Sequence, residues 1–290
     1  MRIAVMTDSN SGITQTEADS LGIFLVPMPI IIDGETFYEG VNLTQDYFYS
    51  CLTGGKEITT SQPSPGVLLE QWDRILSLGY DRILYIPMSS GLSQSCATAI
   101  SLSKDYEGKV LVADNHRISV PQKISVLEAI RMVEKGIPAE KIHKSLEDNS
   151  FHSSIYVAVD TLEYLKKGGR ITPAAAALGT ILNLKPVLTI QGSRLDAFAK
   201  VRGIKKARQK MAEALADDLN TRFSQIPKER LRLDAAGSGL SKEEIQELTD
   251  FMEQKFKMEV HYDPLSLCIG THTGPGAVGM ALSVLAEVPK

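Results

Sequence analysis

The stretch Arg2–Gly22, "RIAVMTDSNSGITQTEADSLG", decides the fold. "RIAVMTD" is a short apolar run closed by polar residues, the pattern of a buried strand. "SNSGIT" is a polar turn, and "QTEADSLG" reads as a helix stopped by Gly22. A strand, a tight turn and a helix make up the repeating unit of α/β folds, and the rest of the chain extends it.

Downstream, "IFLVPMPIII" reads as a second strand, with Pro27 and Pro29 placing it at an edge or a bend. "PGVLLEQWDRILSLG" has apolar residues at helical spacing, with Trp72 in the core. "RILYIPM" and "KVLVAD" are strands flanking a helix that begins near Leu92, and two helices joined at "KGIPAEK" run from Pro121 to about Asp148. A second block opens with the strand "SIYVAVD" at residues 154–160. It continues through helix "TLEYLKKGG", an alanine-rich helix from Pro173, strand "PVLTI" and a long helix from about Ile204 to Phe223. Strand "RLDAAG", helix "SKEEIQELTDFMEQKF", strand "LSLCIG" and a final helix complete the order. The expectation is an α/β protein of two α/β domains with mainly parallel sheets and helices on both faces. The seam falls near residue 150, giving domains 1–150 and 151–290.

The 290 residues are 43% hydrophobic and 23% charged, an ordinary balance for a soluble globular protein. A net charge of -4 gives no general attraction to nucleic acid or anionic membrane, so a basic site must be local. Cys51, Cys96 and Cys268 are odd in number and far apart, which argues for a reducing compartment rather than a disulfide framework. No signal peptide is read at "MRIAVMTDSN", and no apolar stretch approaches the roughly 20 residues of a membrane span. These features place the protein in the cytoplasm.

In α/β folds ligands collect outside the carboxyl ends of strands. Three polar loops are expected there: "TDSNSG", "MSSGLSQS" (88–95) and "GTHTGPG" from Gly270. In "MSSGLSQS", four serines surround Gly91 where a strand turns into a helix, a setting that suits a carboxylate or phosphate. A single serine capping the helix is the plainer reading. "TTSQPSPG" (59–66) adds Thr59, Thr60 and Ser61 on a turn stiffened by Pro63 and Pro65, with no charged residue inside it. "GLSQS" also invites comparison with a hydrolase nucleophile elbow, with Ser93 as nucleophile, His272 as base and Asp160 in a suitable order for the third member. Ser95 replaces the elbow's closing glycine. "GTHTGPGAVG" sets His272 among glycines that allow close backbone approach to a ligand. His116, His143, His152 and His261 lack ligand spacing, so no metal is expected. "KVRGIKKARQK" puts Lys200, Arg202, Lys205, Lys206 and Arg208 at a helix start, against the macrodipole, which suits an acidic or phosphorylated partner, with a solvated basic face as the plainer reading, and Arg170 extends the same face. Ala174 to Ala177 leave room for close packing or for an apolar ligand tail.

With "TDSNSGI", "EGVNLT", "TTSQPSPG", "SSGLS", "DTLEYLKKGGRI", "KVRGIKKA" and "IGTHTGPGAVG" in order from residue 7 to residue 279, the sequence resembles the DegV family of bacterial fatty-acid-binding proteins. The resemblance implies two α/β domains holding one long-chain fatty acid between them, with the last segment, from about 268 to 290, returning to the ligand site. It implies a carboxylate bound through Ser61 and Ser93, with Thr60 beside them and His272 at the head group. It also implies a subunit without catalysis, cofactor or metal of its own. Such a subunit presents the fatty acid to a separate ATP-dependent fatty acid kinase and carries the acyl phosphate toward phospholipid synthesis, with transient membrane contact. Arg170, Arg202 and Lys205 would then face the kinase or the phosphate. Pro121 and Lys123 stand where the family has glycines, and Gln94 replaces the glycine after Ser93. The rival readings are a serine hydrolase using Ser93 and His272, and a regulatory binding module whose basic patch docks a protein or nucleic acid.

Overall fold

Thr14 accepts the amide of Glu17 to start the first helix, and Gly22 ends it in the left-handed conformation at φ 67°. The computed structural model describes residues 1–177, 184–191 and 194–289. The first half runs β1 (Ile3–Asp8), α1 (Gln15–Leu21), β2 (Phe24–Val26), β3 (Ile30–Ile32), β4 (Glu35–Phe37), α2 (Gln45–Thr53) and β5 (Ile58–Thr60). It continues with α3 (Pro65–Ser77), β6 (Arg82–Ile86), α4 (Ser95–Ser103), β7 (Val110–Val112), α5 (Val120–Glu134) and α6 (Ala139–Asp148). The second half begins with β8 (Ser153–Ala158), α7 (Glu163–Gly168), α8 (Pro173–Ala176), β9 (Leu184–Ile190), β10 (Asp196–Arg202) and α9 (Ile204–Asn220). It ends with β11 (Leu231–Gly237), α10 (Lys242–Phe256), β12 (Val260–Pro264), α11 (Leu267–Thr273) and β13 (Val278–Val284). The alanine-rich stretch beyond Ala177, residues 178–183, lies outside the described residues.

The first sheet has strand order β2-β1-β6-β7 and is parallel throughout, as expected. Its two faces are covered separately. Leu68, Trp72, Ile75, Cys96 and Ala99 of α3 and α4 pack on one side, and Ala18, Val126, Met132 and Leu146 of α1, α5 and α6 on the other. The second sheet, β10-β9-β8-β13-β11-β12, corrects the mainly parallel expectation. Among the described residues only β11 and β12 pair in parallel, and its other pairings are antiparallel. α9 and α10 cover one face through Met211, Leu215, Leu248 and Met252. The opposite face, with Val157, Leu188, Ile190 and Ala236, packs toward Phe48, Leu165 and Leu267.

Four expectations from the sequence are overturned. "IFLVPMPIII" is two strands in different sheets, because Pro27 and Pro29 have no amide hydrogen to pass along a ladder. "LSLCIG" belongs to a helix: Ser266 accepts the amide of Ile269 and starts α11. The segment read as a final helix is β13, which pairs with β8 on one side and β11 on the other and is buried along its whole length. The helix placed near Leu92 starts at Ser95. The reading also missed β10, β12 and the small antiparallel sheet β4-β3-β5. Lys200 and Arg202 therefore sit on a strand rather than a helix.

A buried guanidinium joins the halves. Arg117 donates to the carbonyls of Asn149 (2.9 Å), His152 (3.4 Å) and Val284 (3.3 Å), and to Ser125 Oγ (3.2 Å). Lys123, one of the departures, bridges Glu17 at 2.8 Å and Asp263 at 3.1 Å, again across the halves. The three cysteines are buried and unbridged. Among the described residues no helix is long and apolar enough to cross a membrane.

Candidate ligand-binding site

The site grows from the carboxyl ends of the first sheet. Asp8, the last residue of β1, is fully buried and accepts from Asn10 N (2.9 Å), Met88 N (2.7 Å) and Gln122 Nε2 (3.3 Å). Burial pushes its carboxyl up to about 6, against the pull of those hydrogen bonds. Asp8 thereby ties the loop after β1 to the loop after β6. Asn10 extends the tie: its Nδ2 meets Met88 Sδ at 2.9 Å and its Oδ1 accepts from Ser266 Oγ at 3.2 Å. Because Ser266 caps α11, the first sheet positions the helix that carries His272.

Thr60 closes β5, and its Oγ1 lies 2.8 Å from His272 Nε2. The ring packs over Gly168, where an added Cβ would overlap Nδ1 and Cε1. Burial, and secondarily Arg170, hold the imidazole pKa down to about 4. His272 is therefore neutral near pH 7 and offers a hydrogen bond rather than a charge. Glu39, quoted within "EGVNLT" but given no role from sequence, accepts the amide of Leu267 at 2.8 Å and anchors the start of α11. Burial pushes its carboxyl up to about 7. No local pattern announces that contact, since its partner lies 228 residues away.

Asn10, Met88, Thr60 and His272 border a cavity of about 330 Å³, within the range of small-molecule pockets, roughly 300–1,000 Å³. Thr60, Ser61, Ser93, Arg170 and His272 contribute polar atoms to its wall. Much of the remainder is apolar, including Met28, Met88, Val157, Leu165, Ile190 and Leu265. Ser61 is exposed, and its Oγ donates to the Gln62 carbonyl at 3.1 Å. Ser93 is half-buried and its Oγ accepts the Ser95 amide at 3.1 Å, so it also serves the start of α4. Pro121 and Gln94 line the cavity, whereas Lys123 does not. Arg170 lines this cavity and an adjoining polar one of about 360 Å³ shared with Lys56, Lys167 and His272. Arg202 and Lys205 are exposed, on β10 and in the first turn of α9, and line neither.

The hydrolase constellation is not assembled. His272 Nε2 meets Thr60 rather than Ser93, and Asp160 pairs with Lys185 at 2.5 Å. Among the described residues no group of three or more His, Cys, Asp or Glu side chains could hold a metal ion.

A family model described as "Uncharacterised protein, DegV family" matches residues 2–284. The DegV domain-containing protein of Deinococcus radiodurans is 32% identical over 287 residues, 99% of this chain and 100% of that protein. A solved structure described as fatty acid binding of a DegV family protein from Thermus thermophilus has a TM-score of 0.85 at 31% identity, covering 98% of this chain and 100% of its own. The crystal structure of DegV, a fatty acid binding protein from Bacillus subtilis, has a TM-score of 0.83 at 28% identity, covering 98% of this chain and 99% of its own. The match extends from the first strand through β13 and includes every loop that borders the cavity, and the chain belongs to the DegV family.

Proposed function

We propose that this protein binds one long-chain fatty acid and presents its carboxylate to a separate ATP-dependent fatty acid kinase, then carries the acyl phosphate toward phospholipid synthesis. The observation that carries the reading is the largely apolar cavity with Thr60, Ser61, Ser93 and His272 on its wall. Each buried methylene contributes about 0.8 kcal/mol, so the tail supplies most of the affinity. The head group needs only enough hydrogen bonds to avoid an unsatisfied carboxylate, with Ser61 and Ser93 as donors and His272 orienting it through its bond to Thr60. Hydroxyls serve both the carboxylate and the acyl phosphate. A bidentate arginine clamp would hold the carboxylate strongly and oppose its phosphorylation.

On this reading the chain divides near residue 150 into two domains, each built on one of the larger sheets, with residues from about 268 onward returning to the ligand. The protein contributes binding and orientation without a catalytic step of its own. That view is supported by the engagement of His272 with Thr60 instead of Ser93. Arg170 at the wall, and Arg202 and Lys205 on the outside, are the groups offered to the kinase and the transferred phosphate. The protein works in the cytoplasm and touches the membrane transiently.

Denaturing the purified protein and measuring released lipid by mass spectrometry tests the ligand. One dominant fatty acid at near equimolar amount is expected, and a protein that carries none and takes up none refutes the reading. The kinase step is tested with the Ser61→Ala, Ser93→Ala double variant, whose acyl phosphate formation should fall. Unchanged formation rules out the hydroxyl cradle.

A further inference from the structure

Strand β11 has two unlike faces, as the two-residue period of a strand requires. Leu233 and Ala235 enter the core under α9 and α10, while Ala236 joins Val157 and Ile190 on the cavity side. Asp234 shares that side with Ala236. It stands in one row with Ala281 and Ile155, both of which line the cavity with it. The strand thus puts a carboxylate on an apolar wall.

Asp234 is completely buried. Arg232 Nε donates to its Oδ1 at 2.8 Å, but its Oδ2 has no partner among the described residues. Among the described residues it is the one cavity-lining side chain with a buried polar atom left in that condition. Asn10, equally buried and also lining the cavity, has both ends of its amide engaged. Buried acceptors without partners are rare and costly, and each calls for an explanation. Burial pushes the Asp234 carboxyl up to about 6 against the pull of Arg232, so it is an acceptor near neutral pH. Gly237, at the end of β11, pairs with Pro264 just before α11. Asp234 lies three residues back from it, roughly 10 Å along the strand and away from the His272 end.

We propose that this part of the cavity receives a hydrogen-bond donor carried near the tail of the ligand, so that the protein accepts hydroxylated acyl chains, with Asp234 Oδ2 accepting a hydrogen bond from the hydroxyl. The inference rests on the fatty-acid reading of the cavity and specifies its substrate class. An ionised acceptor takes a hydrogen-bond donor and repels an anion. A terminal hydroxyl fits, whereas a second carboxylate at the tail is repelled. In a wholly apolar cavity the same hydroxyl would bind worse than a methyl end, because it leaves water without gaining a partner.

Lipid-free full-length protein is titrated with unsubstituted fatty acids from lauric to stearic and with their ω-hydroxy counterparts. At the best-fitting chain length, wild type binds the hydroxy acid at least as tightly as its unsubstituted partner. In Asp234→Leu, the hydroxy acid weakens by roughly tenfold or more while the unsubstituted acid holds or improves. Rejection of every hydroxy acid by wild type, roughly tenfold or more, overturns the proposal and assigns Oδ2 to a bound water. Parallel changes for both acids in the variant overturn it as well. Should Asp234→Leu not fold, the wild-type comparison alone decides. Binding of unsubstituted acids only leaves the fatty-acid reading standing, whereas binding of neither kind removes both.

Discussion

Acidification should destabilise the protein through His272, and the size of the effect follows from what surrounds the ring. The imidazole is withdrawn from water between Thr60 and Gly168, with Arg170 nearby. Its pKa falls from 6.5 in the unfolded chain to about 4 in the fold. Between these values the unfolded state binds the proton and the folded state does not, so stability drops as the pH falls through that window. The full gap corresponds to about 3 kcal/mol at 1.36 kcal/mol per pH unit, trimmed to about 2–3 by the ring's partial exposure. Most of the loss, about 2 kcal/mol, is present by pH 5.

Asp8, Glu39 and Asp234 act in the opposite sense. Their carboxyls are raised to about 6, 7 and 6, so the folded state holds their protons over an overlapping range and gains stability on acidification. A raw pH curve mixes both signs. The informative quantity is the difference between wild type and His272→Gln, which keeps a hydrogen-bonding side chain but does not titrate. Urea unfolding of both proteins at about pH 7.5 and about pH 5 should show wild type losing about 2 kcal/mol relative to the variant. A change below about 0.5 kcal/mol would mean the ring is as well hydrated in the fold as in the unfolded chain, refuting the desolvated, neutral histidine.

Three substitutions probe the supports. Gly168→Ala places a methyl into the His272 ring, which must turn away from Thr60. It should cost about 1–3 kcal/mol in urea unfolding and weaken fatty acid binding by roughly tenfold. Gly169→Asn, at φ 68° with open space around it, should cost less than about 1 kcal/mol; equal losses at both positions would show that steric contact with the ring is not the cause. Arg117→Met empties the junction of its buried guanidinium, leaving the Asn149 and Val284 carbonyls with one donor each in place of two and Glu128 without its main opposing charge. A loss of about 3–5 kcal/mol is expected in the same assay, and a loss under about 1 kcal/mol would deny the guanidinium its joining role.

The first half of the fold was legible because its signals are local. β1, α1, β6 and β7 are bounded by turn residues, and their apolar runs match a parallel sheet covered on both faces. The second half misled where pairing overrides local pattern. "AVGMALSVL" has the alanine, methionine and leucine of a good helix, yet its place between β8 and β11 makes it a strand. "LSLCIG" is a short apolar run that fits strand or helix equally, and the Ser266 cap distinguishes the two. At the site, hydroxyl loops and a histidine among glycines were readable as polar clusters. That Thr60 meets His272 across 212 residues was not, nor was the anchoring of α11 by Glu39, because neither contact exists until the sheets are assembled.

Assembly also changes how the uncharged loop "TTSQPSPG" should be understood. Alone it suggests a wholly neutral cradle, and the depressed His272 pKa keeps that side of the cavity neutral. Arg170, however, arrives from the other half of the chain and lines both the apolar cavity and the polar one beside it. It is held there by donating to the carbonyl of Gly168, the same glycine that makes room for the imidazole. Coulomb attraction from such a position favours an anion at the wall without the two parallel bonds of a fork against a carboxylate. The "GG" preceding Arg170 therefore has two physical tasks. Gly168 lets His272 approach, and Gly169, in the left-handed conformation, turns the chain so that Arg170 reaches the same wall. A charge supplied across the seam and hydroxyls supplied within the first half would meet the same head group.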